Sequence, residues 1–186
     1  KDDSFLYWSI DPLDGTVNFI HGLNQFCVSI GLMRASEPVV GVIFNPATGQ
    51  LFYAVKNQGA FLNGKRIFVS KIRSIEKSLL VTGFPYAILK RQKRVTKVLK
   101  NFLIEGEGVR RLGSAALDMA YIASGIFDGF WEEGLNPWDI TAGIVIVNEA
   151  GGRVTDYSGG SDFIFGKTIV CSNGLIHSRM LKLLRK

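Results

Sequence analysis

Residues 8–19 read WSIDPLDGTVNF and follow directly on the apolar run FLYWSI. Residues 5–10 are aromatic and β-branched, which predicts a strand that ends at Asp11-Pro12. Asp11 and Asp14 then sit three apart on a turn stiffened by Pro12, so their carboxylates can converge on one point. Like charges that close repel, and either one takes a proton or a cation sits between them. Hard oxygen ligands on a tight turn suit Mg²⁺. Gly15 lets a backbone approach closely, and the N–H groups of Gly15 and Thr16 can form an anion-binding nest. The Thr16 hydroxyl, beside both acids, can orient a metal-bound water. A cation site next to an oxyanion site suits phosphate chemistry. The plainer alternative is an Asx-type turn whose aspartates only bond backbone N–H groups, and at this point both remain open.

Outward from this stretch, strands are expected over residues 26–33, 39–44 and 51–55, with turn-rich NPATGQ between the last two. Asn63-Gly64 between short apolar segments is a hairpin signal. The first third therefore reads as an antiparallel meander. Strands and helices then alternate. Strands are expected over 79–82, at VRRLG, at IFDGFWE, at RVTD and at TIVCSN. Ile88, Val95, Val98, Leu99 and Phe102 recur at helical spacing, with Lys90, Arg91, Lys93, Arg94, Lys97 and Lys100 mostly between them. That basic face is either a polyanion-binding surface or simply a solvated one. Ser114 can cap a small-residue, buried helix. NPWDITAGIVIVNEAGG reads as a helix capped by Asn136, with Pro137 at its first position and Gly151-Gly152 at its end. Residues 175–186 close as a helix with basic last turns. Strands in a run, then strands alternating with helices, predict mixed sheets covered by helices in an α+β fold. No linker divides the 186 residues, so one domain is expected: 1–82 mainly first sheet, 83–186 a second α/β half.

Composition sets outer limits. The chain is 47% hydrophobic and 20% charged, which provides a core and excludes a disordered chain. The net charge of +6 fits a basic surface with no partner, nucleic acid or an acidic substrate. Cys27 and Cys171 lie far apart in apolar runs and lack zinc spacing. Two buried free thiols are expected, which suits a reducing, cytoplasmic compartment. The uncharged stretches are broken by Asn, Gln, Gly or Pro and do not read as membrane spans, and the opening KDDSF does not read as a signal peptide.

Further candidates are scattered. Asp139 lies in the first turn of its helix, where an acid complements the dipole or serves as a third hard ligand. Trp138 beside it reads as a packing residue. Glu132 and Glu133 end a strand, so one should point inward and at least one should be solvated. His21 and His177 stand alone, which favours structural or surface roles.

DPLDGTVNF together with NPWDITAGIVIVNEAGG resembles the inositol monophosphatase family, Mg²⁺-dependent and lithium-sensitive phosphatases. Both family patterns, D-P-[LI]-D-G-T-x-N-F and W-D-x-x-A-G followed by E-A-G-G, are present in order. NQGAFLNGKRI and LGSAALDMAYIASGIFDGFWE are similar to family segments as well. The resemblance implies a layered αβαβα sandwich and two or three Mg²⁺ ions. Asp11 would bridge two metals, the Leu13 carbonyl would bind one, and Asp14 and Asp139 would bind the second. Thr16 would help activate the attacking water, and the N–H groups of Gly15 and Thr16 would hold the phosphate. Ala115 and Glu132 match positions that meet the sugar hydroxyls, and Asp14 and Asp139 are implied to touch the substrate as well. The implied reaction is in-line attack of a metal-activated water on inositol monophosphate. A homodimer is implied too. No role is carried onto Gly83, Phe84 and Pro85, near where relatives line the substrate pocket.

The sequence also departs from the family. A G-x-x-D aspartate and a Glu-Glu pair precede D-P-x-D-G-T in relatives, and Asp2 and Asp3 lie too close to Asp11 to stand in. The helices that cover the first sheet in relatives are not in the sequence either. With Lys1 as its first residue, the chain is expected to be a piece of a longer enzyme, and alone to turn over weakly or not at all. Fructose-1,6-bisphosphatase activity is the nearest alternative. A 3′-phosphoadenosine-type nucleotidase is disfavoured, because Asn18 stands where such relatives usually have Glu. A non-catalytic regulatory or RNA-binding protein on the same fold is the alternative of another class.

Overall fold

Alternation along the first third produces a sheet with one dry face. In the computed structural model, which describes residues 5–84 and 92–185, β1 (Leu6–Asp14), β2 (Cys27–Arg34), β3 (Glu37–Asn45), β4 (Gln50–Val55), β5 (Gly59–Leu62) and β6 (Lys65–Ile67) pair antiparallel in sequence order. Asp2, Asp3, Pro85, Ile88, Lys90 and Arg91, singled out above, lie outside the described residues. Cys27, Met33, Ile43, Phe52 and Ala54 point to the dry face. Leu6, Trp8 and Ile10 alternate out of it and are exposed. Asn63 and Gly64 both take positive φ, as the hairpin signal requires.

The second sheet is mixed. It contains β7 (Leu79–Thr82), β8 (Gly108–Arg110), β9 (Gly129–Glu133), β10 (Arg153–Thr155) and β11 (Thr168–Ser172), in the order β10-β11-β9-β7-β8. β7 runs parallel to β8 and β9, while β11 runs antiparallel to β9 and β10.

Between the sheets lie α3 (Ala115–Ala123) and α4 (Pro137–Glu149). Every residue of α3 is buried, in keeping with its small side chains. On the far face of the second sheet, α2 (Gln92–Glu105) and α5 (His177–Arg185) pack Val98, Phe102, Met180 and Leu183 against Leu80, Trp131 and Val170. The layers thus run sheet, helices, sheet, helices, a layered α+β fold. Lys93, Arg94, Lys97 and Lys100 lie on the exposed side of α2.

Four expectations need correction. β1 does not stop at Asp11-Pro12 but pairs with β2 through Asp14. A five-residue helix, α1 (Thr16–Ile20), follows at once, where only a turn was foreseen. Glu132 and Glu133 are both buried, because β9 is an inner strand with helices over both faces. Trp138 is 46% exposed rather than packed, since the first turn of α4 emerges at the rim. The thiols of Cys27 and Cys171 are free and buried as expected.

Candidate active site

The aspartate corner is a bulge. Asp11 pairs with Ser29 and Asp14 with Cys27, so three steps on β1 face two on β2. In a regular strand, side chains three apart point to opposite faces. The extra residue removes that opposition and turns both carboxylates to one side. Gly15 then takes φ 85°, and a Cβ there would stand 2.6 Å from the Gln25 carbonyl oxygen. Only glycine fits this conformation and this space. The Thr16 hydroxyl donates to the Leu13 carbonyl at 2.9 Å.

Asp139 arrives on α4, whose first turns lie close against the first sheet. Gly31 and Gly41 are cross-strand neighbours on β2 and β3. A Cβ on Gly31 would sit 2.3 Å from Thr141 Cγ2, and one on Gly41 2.3 Å from the Ala142 carbonyl oxygen. The paired glycines form a trough for the helix. Ser29 Oγ donates to the Trp138 carbonyl at 3.3 Å and pins the first turn above it.

Asp11, Leu13, Asp14, Gly15, Thr16 and Asp139 line one side of a cleft of about 170 Å³. Ala115 and Glu132 line it as well, so all eight residues singled out from the sequence meet there. A roomier cavity of about 550 Å³ lies at the other end of α4. Two of its acids are occupied: Glu37 pairs with Lys56, and Glu149 accepts from the N–H groups of Asn57 and Gly59.

Asp11, Asp14 and Asp139 are anchored by one oxygen each. Asp11 Oδ1 accepts the Leu13 N–H at 2.9 Å, and Asp139 Oδ2 accepts the Asn136 N–H at 2.7 Å. Asp14 Oδ2 takes the Ser114 hydroxyl at 2.6 Å and the Ala116 N–H at 2.9 Å. The second oxygens are left for the cleft, and those of Asp11 and Asp139 come close enough to share a hydrogen when one is protonated.

The acids also raise one another's pKa. Burial, and then the Asp11 charge, push Asp14 above the usual carboxylate range. Burial with Asp14 and Asp11 raises Asp139 to about 6. Burial with Asp14 and Asp139 raises Glu132 to about 8, against a lowering pull from Arg111. This much crowded acid calls for positive charge from outside the chain. Among the described residues no three His, Cys, Asp or Glu side chains stand close enough to grip an ion by themselves. Carboxylates, a carbonyl and water are a donor set that suits Mg²⁺, which keeps much of its water. The second oxygens of Asp11, Asp14 and Asp139, with the Leu13 carbonyl, fit that description.

Sequence reasoning missed several neighbours. Ser114 was read only as a helix cap, yet it also fixes Asp14. Arg111, Gly83 and Asp118 line the cleft too. The signal for Asp118 was an acid inside the otherwise apolar SAALDMAYIA. Neither histidine is among the cleft residues. His21 is exposed, and His177 is buried between Thr155 and Ser172, each 2.9 Å from a ring nitrogen.

The profile of the Inositol monophosphatase family matches residues 1–186. An inositol-1-monophosphatase of Mesorhizobium japonicum is 43% identical over 185 residues, which is 100% of this chain and 70% of that protein. The Nus factor SuhB of Escherichia coli is 42% identical over 98% of this chain and 68% of its own length. The solved structure of inositol monophosphatase from Anabaena superposes with a TM-score of 0.94 at 42% identity, covering 100% of this chain and 73% of that one. The chain belongs to the inositol monophosphatase family.

Proposed function

We propose that the protein is a Mg²⁺-dependent phosphate monoester hydrolase acting on inositol monophosphate. One observation carries the reading: three carboxylates, each tied to the backbone or a cap by one oxygen, turn their second oxygens to a cleft beside the Gly15-Thr16 turn. When bound, two or three divalent cations would neutralise those acids and the phosphate and make water a competent nucleophile. Asp11, Asp14, Asp139 and the Leu13 carbonyl would hold them. The N–H groups of Gly15 and Thr16 orient the phosphate. Thr16 Oγ1 has its hydrogen committed to the Leu13 carbonyl, so its lone pairs accept a hydrogen from the attacking water and aim it. Ala115 and Glu132, which line the same cleft, meet the hydroxyls of the leaving alcohol.

The reading extends to a cytoplasmic homodimer inhibited by Li⁺. It is tested by phosphate release from inositol monophosphate, fructose 1,6-bisphosphate and a 3′-phosphoadenosine nucleotide. The full-length protein is assayed with Mg²⁺, with Li⁺ added, and after chelation. Inositol monophosphate should be the best substrate, and Li⁺ and chelation should both lower the rate. A rate indifferent to chelation would sink the metal assignment. A best rate on fructose 1,6-bisphosphate would shift the substrate.

A second reading is a regulatory, RNA-binding protein on the same fold. It is favoured by the exposed basic side of α2 and by the relatives named Nus factor SuhB. RNA affinity that falls steeply with salt, in a full-length protein without phosphatase activity, would select it.

A further inference from the structure

Asp118 sits one turn beyond Ser114 on α3, three residues past Ala115, and lines the same cleft. It is 1% exposed, and among the described residues its Oδ1 has no hydrogen-bond partner. Asp14 and Asp128, by contrast, are matched. Asp14 accepts from Ser114 and Ala116, and Asp128 from Ser70 and the Leu79 N–H. Buried polar atoms are rarely left without a partner, so an orphan oxygen on a residue that lines a cleft asks for one there.

The chemistry of that partner follows from the neighbours. Glu132 stands on the same wall, and a Cβ on Gly83 would overlap its carboxylate, so the missing side chain at residue 83 makes its room. A phosphate finds its donors at the Gly15-Thr16 turn, among the other residues of the cleft. A cation finds better donors at the aspartate corner, where Asp11, Asp14 and Asp139 line the cleft with Leu13. What remains is a neutral group that donates hydrogens. Phe84 and Leu135 add apolar surface to the cleft. Acceptors beside apolar surface match the O–H groups and C–H faces of a polyol.

We infer that Asp118 is a specificity-determining residue for the alcohol half of the substrate, its Oδ1 accepting a hydrogen from a hydroxyl of a bound polyol phosphate. The inference rests on the phosphate-monoester reading above. Arg111, which lines the cleft and acts on Asp118 through its charge, keeps the wall from being wholly acidic.

The test compares inositol monophosphate with p-nitrophenyl phosphate, which carries no free hydroxyl on its leaving group. Asp118→Ala and Asp118→Asn are assayed in the full-length protein with Mg²⁺. A hydrogen-bonding site discriminates by orders of magnitude where a hydrophobic one does not. Asp118→Ala should lower kcat/KM for inositol monophosphate about 30-fold while changing p-nitrophenyl phosphate less than about 3-fold. Asp118→Asn keeps an acceptor oxygen and should recover most of the loss. Equal falls for both esters would mark a merely structural role and overturn the inference, as would no fall in either, or an Asn variant no better than Ala. If the unaltered protein hydrolyses neither ester, the phosphatase reading fails on its own. Calorimetric binding of inositol monophosphate and phenyl phosphate then decides about Asp118. A preference for the polyol ester that Asp118→Ala abolishes supports it, and any other result overturns it.

Discussion

The two sides of the cleft use carboxylates in opposite ways. At the corner, Asp11, Asp14 and Asp139 are each held by short bonds to backbone or cap groups. On the wall, Glu132 and Asp118 are more deeply buried, and Asp118 keeps an oxygen with no partner among the described residues. Anchored acids with one oxygen to spare are built to stay charged beside a cation. Buried acids with little anchoring are disfavoured as anions and are suited to exchanging hydrogens with neutral groups. On the proposed reading, the corner would act on every phosphate ester and the wall would select among alcohols.

Asp11→Asn tests the first half of that contrast and should have the largest effect. It keeps the shape of the bulge and removes one charge from the proposed metal site. The barrier should rise by about 4 kcal/mol, a loss of about 10³-fold in kcat/KM for inositol monophosphate and p-nitrophenyl phosphate alike. Steady-state rates on both esters check it. A loss confined to the polyol ester would erase the distinction between corner and wall.

Gly41→Val disturbs the mount of the corner rather than its chemistry. The new Cβ meets backbone of α4, which cannot swing away as a side chain would. Stability should fall by about 3 kcal/mol, read as a lower urea midpoint. Because α4 carries Asp139, both esters should slow together. An unchanged midpoint would show that the trough is not what sets the height of the helix.

The wall can be read through pH. Glu132 has its pKa raised to about 8 by burial and by Asp14 and Asp139. Between about 4.5 and 8 the folded protein keeps a proton that the unfolded chain has released, so stability falls as pH rises through that window. Glu132→Gln removes this penalty. In the presence of chelator it should stabilise the protein by about 2 kcal/mol at pH 8 and by nothing at pH 4.5. Thermal unfolding at the two pH values checks it. Added Mg²⁺ should shrink the gain by neutralising Asp14 and Asp139. A gain that is the same at both pH values would mean that Glu132 is not strained by its charge.

The corner was legible in the sequence and the wall was not. Asp11, Asp14 and Gly15 are crowded within five residues, so their chemistry shows in local spacing, and Asn136-Pro137 announces the helix that carries Asp139. Even here the bulge was invisible, because it exists only as a mismatch between β1 and β2. Glu132 and Glu133 misled for a related reason. Alternation along one strand says which way a side chain points, and burial of both depends on helices laid over both faces. Trp138 looked like packing because its size, not its position at the rim, is what a sequence displays. Asp118 depends on α3, β9 and β7 converging, three segments far apart in the chain.

Ser114 joins the two sides, and its removal should have the smallest effect. Its hydroxyl donates to Asp14 at 2.6 Å, and its oxygen accepts the Leu117 N–H at 3.4 Å, at the start of the helix that bears Ala115 and Asp118. Ser114→Ala loses a helix cap worth about 1 kcal/mol. It also leaves Asp14 Oδ2 with the Ala116 N–H at 2.9 Å and the weaker Cys27 thiol at 3.8 Å. The carboxylate gains freedom to turn but remains in place, so kcat/KM should fall about 10-fold rather than 10³-fold. The ratio between the two esters then tells which side the serine serves. An equal fall assigns it to the corner through Asp14. A larger fall for inositol monophosphate assigns it to the wall through the seating of α3. Thr at this position retains both bonds, and Ser114→Thr should restore the rate, provided that its extra methyl fits beside Cys27.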